Sequence, residues 1–185
     1  MSEIIALDAD GVLLDYHAAY AQAYWPIDRW DVRALEGSQL VHFRAQFDRE
    51  FWSTIPAMEG AVEACCSLVE RGYELVCVSA IESKYEIARL DNLKMHGFPI
   101  YRVVATSSEV QSESPKARAL RELNAVVFVD DFAPYLAGVA KKIHKALILR
   151  ESIGSPNVGE NLKLADTTHN DLLAFSDWWL NEGSH

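Results

Sequence analysis

The sequence has few cysteines, fewer basic than acidic residues and no long apolar segment. Three of its 185 residues are cysteines, Cys65, Cys66 and Cys77, and their spacing fits neither a zinc site nor a disulfide framework. Free cysteines of this kind are typical of a reducing compartment. No apolar run approaches the roughly 18 residues of a membrane span, and the first residues lack the basic and apolar regions of a signal peptide. We therefore expect a soluble, cytoplasmic protein without a membrane partner.

The charge balance is acidic. The chain has 17 Lys and Arg against 27 Asp and Glu, which leaves a formal net charge of −10. Binding to a nucleic-acid polymer is disfavoured, because such binding depends on phosphate contacts from many basic side chains. A small anionic ligand would have to meet local positive charge, supplied by a metal ion or by a few lysines. With 50% hydrophobic and 24% charged residues, the chain has the composition of a folded domain.

Short apolar runs recur along the chain, are rich in β-branched residues and lack polar alternation. They are residues 4–7, 75–78, 100–104, 126–129 and 146–149. Runs of this kind predict strands that are buried on both faces, as in a parallel sheet.

Segments with helical spacing lie between these runs, at residues 60–70, 83–96, 115–123, 134–142 and 170–180. In segment 83–96, Ile87, Leu90 and Met95 predict the buried face of the helix. Segment 115–123 is predicted to have Ser114 as its N-cap and Pro115 at its first helical position. Strands that alternate with helices predict an α/β fold with a doubly wound parallel sheet, whose functional site lies at the carboxyl ends of the strands.

Residues 16–56 interrupt this alternation, and no strand is predicted there. The segment is rich in aromatic residues, and Phe43, Phe47 and Phe51 recur at a spacing of four, which places them on one face of a helix. We interpret it as a small helical cap inserted into an α/β core that comprises residues 1–15 and 57–185.

Two carboxylates follow the first predicted strand, in the sequence Asp8-Ala9-Asp10-Gly11. Carboxylates this close repel each other unless a cation lies between them or one of them is protonated. A simple turn is the alternative, since Asp-Gly is a common turn dipeptide.

A second acidic pair, Asp130-Asp131, ends the predicted strand at 126–129. Each pair alone also fits a turn or a helix cap. In a parallel sheet, however, both pairs would project from the same edge. Several carboxylates that meet there suit Mg²⁺, a hard cation that prefers oxygen ligands.

Two further residues indicate an anion at this edge. Ser79 ends the strand at 75–78, where its hydroxyl and the following backbone N–H groups, beginning with that of Ala80, are placed to bind a phosphate oxygen. Lys116 lies at the start of a predicted helix, where the helix dipole is unfavourable to a cation. A lysine that neutralises a bound anion explains this placement better than a surface lysine does.

The order of these residues resembles the haloacid dehalogenase-like (HAD) superfamily. The chain contains Asp8-x-Asp10-Gly-Val, then Ser79 after an apolar strand, then Lys116 at a helix start, then Asp130-Asp131 after another strand. Each motif is short, and the specificity of the resemblance comes from their joint order. It spans residues 4–136.

The resemblance implies a role for each residue. Asp8 would be the nucleophile that forms an aspartyl-phosphate, and Asp10 the general acid and base. Mg²⁺ would be held by the Asp8 carboxylate, the Asp10 carbonyl and Asp131, with Asp130 as a further or water-mediated ligand. Ser79, Ala80 and Lys116 would bind the phosphoryl oxygens. The dehalogenase branch lacks the second aspartate, so Asp10 favours phosphoryl transfer.

The expected activity is therefore that of a Mg²⁺-dependent phosphatase acting on a small phosphorylated metabolite or a nucleotide. Two alternatives remain open, a phosphotransferase or mutase with the same intermediate, and a non-catalytic binding protein that keeps the fold. A homodimer that closes the site is a further alternative to a monomer. In the cap, Phe51 or Trp52 is a candidate substrate contact, although aromatic residues at helical spacing more often fill a core.

Overall fold

The fold consists of one parallel sheet with helices on both faces. A computed structural model describes residues 2–16, 18–19, 37–38, 47–106, 113–149 and 157–183. The six strands lie in the order β3-β2-β1-β4-β5-β6. They are β1 (Ile4–Leu7), β2 (Glu74–Ser79), β3 (Val103–Ala105), β4 (Val127–Asp130), β5 (His144–Ile148) and β6 (Thr167–His169). All strand pairs are parallel, which confirms the predicted α/β class.

The α-helices in the described residues are α1 (Arg49–Ser53), α2 (Ala61–Glu70), α3 (Glu86–Met95), α4 (Ala117–Leu123) and α5 (Leu172–Trp178). Short 3-10 turns occupy Ser83–Tyr85, Ala133–Leu136 and Gly159–Leu164, and a π-helical turn at Trp179–Gly183 follows α5.

Two apolar cores cover the two faces of the sheet. Ile5 and Leu7 of β1 point into the core that contains α2, α3 and α5. Ala6, between them, points into the core that contains α4. Side chains alternate between faces along a strand, so each strand of this kind must be apolar throughout. This requirement explains the continuous apolar runs of the sequence.

Two of the sequence predictions about elements are wrong. No strand was predicted at β6, which is short and polar. A helix was predicted at 134–142, but the chain forms only the 3-10 turn at Ala133–Leu136. It cannot continue as a helix because Ala137 is extended and Gly138 has a φ of 72°. A Cβ at Gly138 would also approach the Cβ of Glu113 to 2.9 Å.

The predicted buried face of α3 is also wrong. Ile87 and Met95 are 68% and 64% exposed. The buried residues are instead Ala88, Arg89, Asn92 and Leu93. The helix thus turns two polar side chains inward and leaves two apolar ones in solvent.

The helix that follows Pro115 begins two residues later than predicted. Lys116 is the N-cap residue of α4, and the first helical residue is Ala117. The Ser114 hydroxyl accepts a hydrogen bond from the Lys116 backbone N–H, with an N···O distance of 3.1 Å. Lys116 therefore stands before the helix rather than inside its first turn.

The predicted cap at 16–56 lies largely outside the described residues, as does Phe43. The helix α1 begins after the N-cap residue Asp48, so Phe47 precedes the helix that carries Phe51. No helix within the described ranges is long and apolar enough to cross a membrane.

We predict that Phe175→Ala lowers the free energy of unfolding by about 3–5 kcal/mol, because it empties a fully buried position. Urea denaturation would measure the loss. Tyr101→Ala is the matched control, since Tyr101 is 81% exposed and its removal should change stability by no more than about 0.5 kcal/mol. A loss below about 1 kcal/mol for Phe175→Ala would contradict the docking of α5 against the sheet.

Candidate active site

The candidate site lies where the strand order reverses. From β1 the chain adds β2 and then β3 on one side of the sheet. It then returns to the other side of β1, where it adds β4, β5 and β6. Asp8 follows β1, and its backbone N–H donates to the Val129 carbonyl of β4, with an N···O distance of 2.9 Å. Asp130 ends β4 and Asp131 follows it. Crevices at such reversal points are the usual ligand sites of open α/β sheets.

The loop after β1 is a tight turn. The N–H groups of Leu13 and Leu14 donate to the Ala9 carbonyl, with N···O distances of 2.9 and 2.8 Å. Gly11 has a φ of 87°, a conformation that favours glycine. The Asp-Gly dipeptide is thus part of a turn and also carries the acidic pair, so the two interpretations of that dipeptide are compatible.

A buried lysine binds two of the aspartates. The Lys116 Nζ lies 2.5 Å from Asp8 Oδ1 and 2.7 Å from Asp130 Oδ2, and the Lys116 side chain is fully buried. It also lies 4.7 Å from the centre of the Tyr135 ring. Within the described part of the chain, Lys116 is the only side chain that donates to the Asp8 carboxylate. Asp8, Lys116 and Asp130 therefore form one buried ionic group.

Burial changes the protonation of this group. Burial raises the pKa of Asp8 well above its usual value, although the Lys116 charge lowers it, and the neighbouring carboxylates raise it further. Burial also raises the pKa of Asp130, to about 6, against the lowering effect of Lys116. The pKa of Lys116 is raised, since the attraction of Asp130 and Asp8 outweighs the lowering effect of burial. The lysine thus stays charged, and Asp8 and Asp130 bind protons more tightly than exposed carboxylates do.

The carboxylates of Asp8, Asp130 and Asp131 can hold a metal ion. One oxygen from each lies within 4.8 Å of the others, and all three residues are buried. Asp8 and Asp130 share the single ammonium group of Lys116, so these two carboxylates, when ionised, already carry more negative charge than that lysine balances. Hard oxygen donors with excess negative charge fit a hard divalent cation. These three belong to the four residues that were predicted to bind the metal ion. The fourth, Asp10, follows Asp8 by two residues.

The predicted phosphate-binding residues lie at the same edge. Leu7, the last residue of β1, pairs with Cys77, and β2 continues to Ser79, so Asp8, Ser79 and Ala80 all lie beyond the last β1–β2 pair at the same edge of the sheet. Ser79 is fully buried, and its hydroxyl has no hydrogen-bond partner within the described part of the chain. A buried unsatisfied hydroxyl is unusual in proteins and indicates a binding role.

Asp10 is paired with an arginine that the sequence analysis did not single out. The Arg89 Nη2 lies 2.8 Å from Asp10 Oδ1 and 3.0 Å from Oδ2. Arg89 is fully buried on α3, whereas the Asp10 side chain is 21% exposed. The sign that could have revealed it is the polar pair Arg89 and Asn92, one turn apart on this helix.

A second residue that the sequence analysis did not single out is Asn157. Its side-chain N–H donates to the Asp131 carbonyl and its side-chain oxygen accepts from the Ala133 N–H, each at 2.7 Å. It thereby holds the loop that carries Asp131. Only its place after Ser-Pro, a turn-forming dipeptide, could have drawn attention to it.

The two candidate cap contacts have different surroundings. Phe51 packs edge-on against Tyr16, Phe47 and Trp52 at centroid distances of 5.8, 4.9 and 5.1 Å. This packing fits a role in an aromatic core. Trp52 also stacks against the Arg89 guanidinium, whose carbon lies 4.8 Å from the ring centre. Trp52 therefore borders the site through Arg89.

Solved structures with this fold are known, although no family model and no curated protein sequence matches the chain. A dehalogenase has a TM-score of 0.66 at 18% identity, covering 100% of this chain and 98% of that one. L-2-haloacid dehalogenase from Xanthobacter autotrophicus, with chloropropionic acid covalently bound, has a TM-score of 0.64 at 12% identity, with coverages of 98% and 100%. CbbY from Rhodobacter sphaeroides, in complex with phosphate, has a TM-score of 0.60 at 14% identity, with coverages of 94% and 96%.

The chain has the haloacid dehalogenase-like fold. This confirms the fold that the sequence resemblance implied. One neighbour with this HAD-like fold holds a haloacid-derived group and another holds phosphate. Because one fold serves several chemistries, the choice between them depends on the residues of the site.

We predict that protonation of Asp130 stabilises the metal-free HAD-like site as the pH falls from about 7 to about 5. Its pKa of about 6 in the folded state exceeds the ordinary value of 3.8 for an aspartate, so the folded state binds the proton more tightly than the unfolded state. The contribution should be about 1–3 kcal/mol, fully present near pH 4 and lost as the pH rises through 6. Urea denaturation in EDTA at several pH values would measure it.

Asp130→Asn provides the comparison for this measurement. Burial lowers the pKa values of His144 and His169, which opposes the effect, since their contribution to stability falls at low pH. These histidines are common to both proteins, so the difference between wild type and variant reports on Asp130 together with Asp8, whose raised pKa depends partly on the Asp130 charge. A difference that does not change with pH would contradict the raised pKa.

Proposed function

We propose that the protein is a Mg²⁺-dependent phosphatase that hydrolyses a small phosphomonoester through an aspartyl-phosphate on Asp8. The observation that carries the proposal is the arrangement around the Asp8 carboxylate. Lys116 binds one of its oxygens, further carboxylates surround it, and the unpartnered hydroxyl of Ser79 lies at the same sheet edge. Such a site concentrates the charged groups that phosphoryl transfer requires.

The side chains have the following roles in this proposal. An Asp8 oxygen attacks phosphorus, and the bond between phosphorus and the ester oxygen breaks. Asp10 donates its proton to that leaving oxygen and later accepts a proton from the water that attacks the aspartyl-phosphate. Lys116 and the Ser79 hydroxyl bind phosphoryl oxygens, together with the Ala80 backbone N–H. The second step releases inorganic phosphate and restores both aspartates.

The residues Asp8, Asp130 and Asp131, with the Asp10 carbonyl, would hold Mg²⁺. When bound, the ion neutralises charge between the Asp8 carboxylate and the phosphoryl oxygens. The three carboxylates fit such an ion because their oxygens converge and their charges are not balanced by Lys116 alone.

Asp10 favours a phosphatase over a haloacid dehalogenase. Dehalogenation forms an ester on the first aspartate and releases halide, which needs no protonation of a poorly leaving alkoxide. Phosphate ester cleavage does need a proton donor, and Asp10 is the carboxyl group placed to supply it. A phosphotransferase or mutase would use the same residues and differ only in the acceptor.

The proposed substrate is a small phosphorylated metabolite or a nucleotide. The net charge of −10 argues against a nucleic-acid polymer. In the cap, Trp52 is the proposed contact because it lies against Arg89 and through it near Asp10. A homodimer that covers the site remains an alternative, which the molecular mass in solution would test.

We predict that Asp8→Asn abolishes Mg²⁺-dependent phosphate release, by on the order of 10³-fold or more, because the amide cannot act as the nucleophile. Phosphate release from a panel of phosphomonoesters would measure this, with halide release from 2-haloacids assayed in parallel. Asp166→Asn, which removes a carboxylate that pairs with Lys145 away from the site, should retain activity. Halide release without phosphate release would refute the phosphatase, and full activity in Asp8→Asn would refute the nucleophile.

We predict that Mg²⁺ raises the thermal stability of the protein and that Asp131→Asn raises the Kd for Mg²⁺ about tenfold or more, since it removes a charged ligand. Calorimetric titration would give both Kd values. Asp166→Asn again serves as the control for loss of one negative charge. Equal affinities in wild type and Asp131→Asn would show that the ion does not bind at this cluster.

A further inference from the structure

A group of buried polar atoms without partners lies next to Asp10. Arg89 and Asn92 are fully buried on α3, and Trp52 on α1 is 9% exposed. Among the residues that the structure describes, no hydrogen-bond partner is found for Arg89 Nε and Nη1, for either side-chain polar atom of Asn92 or for the indole Nε1 of Trp52. Buried polar groups are nearly always satisfied, so several unsatisfied ones together require an explanation.

The orientation of α3 indicates that these unsatisfied polar groups do not serve the stability of the fold. The helix buries Arg89 and Asn92 while Ile87 and Met95 remain 68% and 64% exposed. A helix selected for stability alone would present the apolar pair to the core. Unsatisfied buried groups that reduce stability are characteristic of sites that bind a ligand.

The group lies on the side of Asp10 where the leaving group of a substrate would lie in the proposed phosphatase. The Arg89 Nη2 donates to Asp10 Oδ2 and lies 2.8 Å from Asp10 Oδ1, and the guanidinium stacks on Trp52 at 4.8 Å. Asn92 lies one helical turn further along the same face. In the proposed phosphatase, Asp10 protonates the leaving oxygen, so whatever that oxygen carries lies on the side of Arg89.

The chemistry of the group favours an anion. Its free atoms are mostly donors, namely guanidinium, indole and amide N–H groups, with one amide oxygen as the acceptor. A guanidinium binds planar carboxylates through parallel hydrogen bonds. Asp10 already partners Arg89, so a monoanion matches the remaining donors better than a phosphate dianion.

We propose that Arg89, Asn92 and Trp52 form a subsite that binds a carboxylate on the leaving group of the substrate. This inference rests on the proposed phosphatase activity and specifies its substrates as phosphorylated hydroxy acids. Because Trp52 belongs to the predicted cap and the other two residues belong to α3, the subsite lies between cap and core. All three side chains are buried, so a substrate carboxylate reaches them only when α1, which carries Trp52, moves away from α3.

The test compares substrates that differ only in the carboxylate. 2-Phosphoglycolate is paired with 2-hydroxyethyl phosphate, and 3-phosphoglycerate with glycerol 3-phosphate. In wild type, kcat/KM should favour the acid by roughly 10- to 100-fold in at least one pair. Arg89→Gln and Asn92→Leu should reduce that preference to about threefold or less. Lys94→Gln, which removes an exposed positive charge from the same helix, should leave it unchanged.

Asn92→Leu separates binding from a structural role. If Asn92 only supports the fold, the variant should lose thermal stability and both members of a pair should lose kcat/KM equally. If it binds the carboxylate, the melting temperature should hold or rise, since an unsatisfied buried group is removed, and only the acid should lose kcat/KM. Equal use of acid and alcohol by wild type in both pairs would overturn the subsite.

Binding without turnover distinguishes the subsite from the phosphatase proposal. Glycolate and glycerate are titrated calorimetrically into wild type and Arg89→Gln, with ethylene glycol and glycerol as neutral controls. If wild type releases no phosphate but binds the acids more tightly than Arg89→Gln does, the phosphatase proposal fails and the subsite stands. If phosphate is released but neither binding nor kcat/KM depends on the carboxylate, the subsite fails and the phosphatase stands.

Discussion

The contact of the Lys116 ammonium with two buried carboxylates is the interaction on which this site depends. It joins the end of β1, through Asp8, to the end of β4, through Asp130, and it comes from the residue that precedes α4. Removing one partner of a buried ion pair leaves an uncompensated charge and is strongly destabilising. The same contact keeps Lys116 charged, and that charge is what the proposed binding of a substrate anion requires. The stability of the fold and the proposed chemistry therefore both require a lysine at this position.

Most of the fold and much of the candidate site could be predicted because parallel sheets impose strict requirements on sequence. Strands buried on both faces must be continuously apolar, and their carboxyl ends must meet at one edge. The acidic pairs after β1 and β4 could therefore be placed together from the sequence alone. Their partner Lys116 was found through its unfavourable position near a helix start, although the structure places it before α4 rather than within it.

The remainder depends on contacts that local patterns do not encode. Apolar spacing predicted that Ile87 and Met95 face the core, yet α3 is rotated so that Arg89 reaches Asp10. Asn157 comes from the chain after β5 and holds the Asp131 loop through two hydrogen bonds. Such residues are defined by partners far away in sequence. The strand β6 was missed for a similar reason. It is short and polar, so no apolar run marks it in the sequence, and it is defined by its pairing with β5.

The central place of β1 also determines when the site can exist during synthesis. β1 is made first, yet Ile5 pairs with Leu75 on one side and with Val127 on the other. Until β4 leaves the ribosome, β1 has an open edge that could pair with other chains. Contacts this distant in sequence also slow folding, because a long loop must close before they form. A nascent chain that ends before Lys116 therefore carries the Asp8 motif without either of its partners, and the ionic group is complete only when Asp130 has also been added.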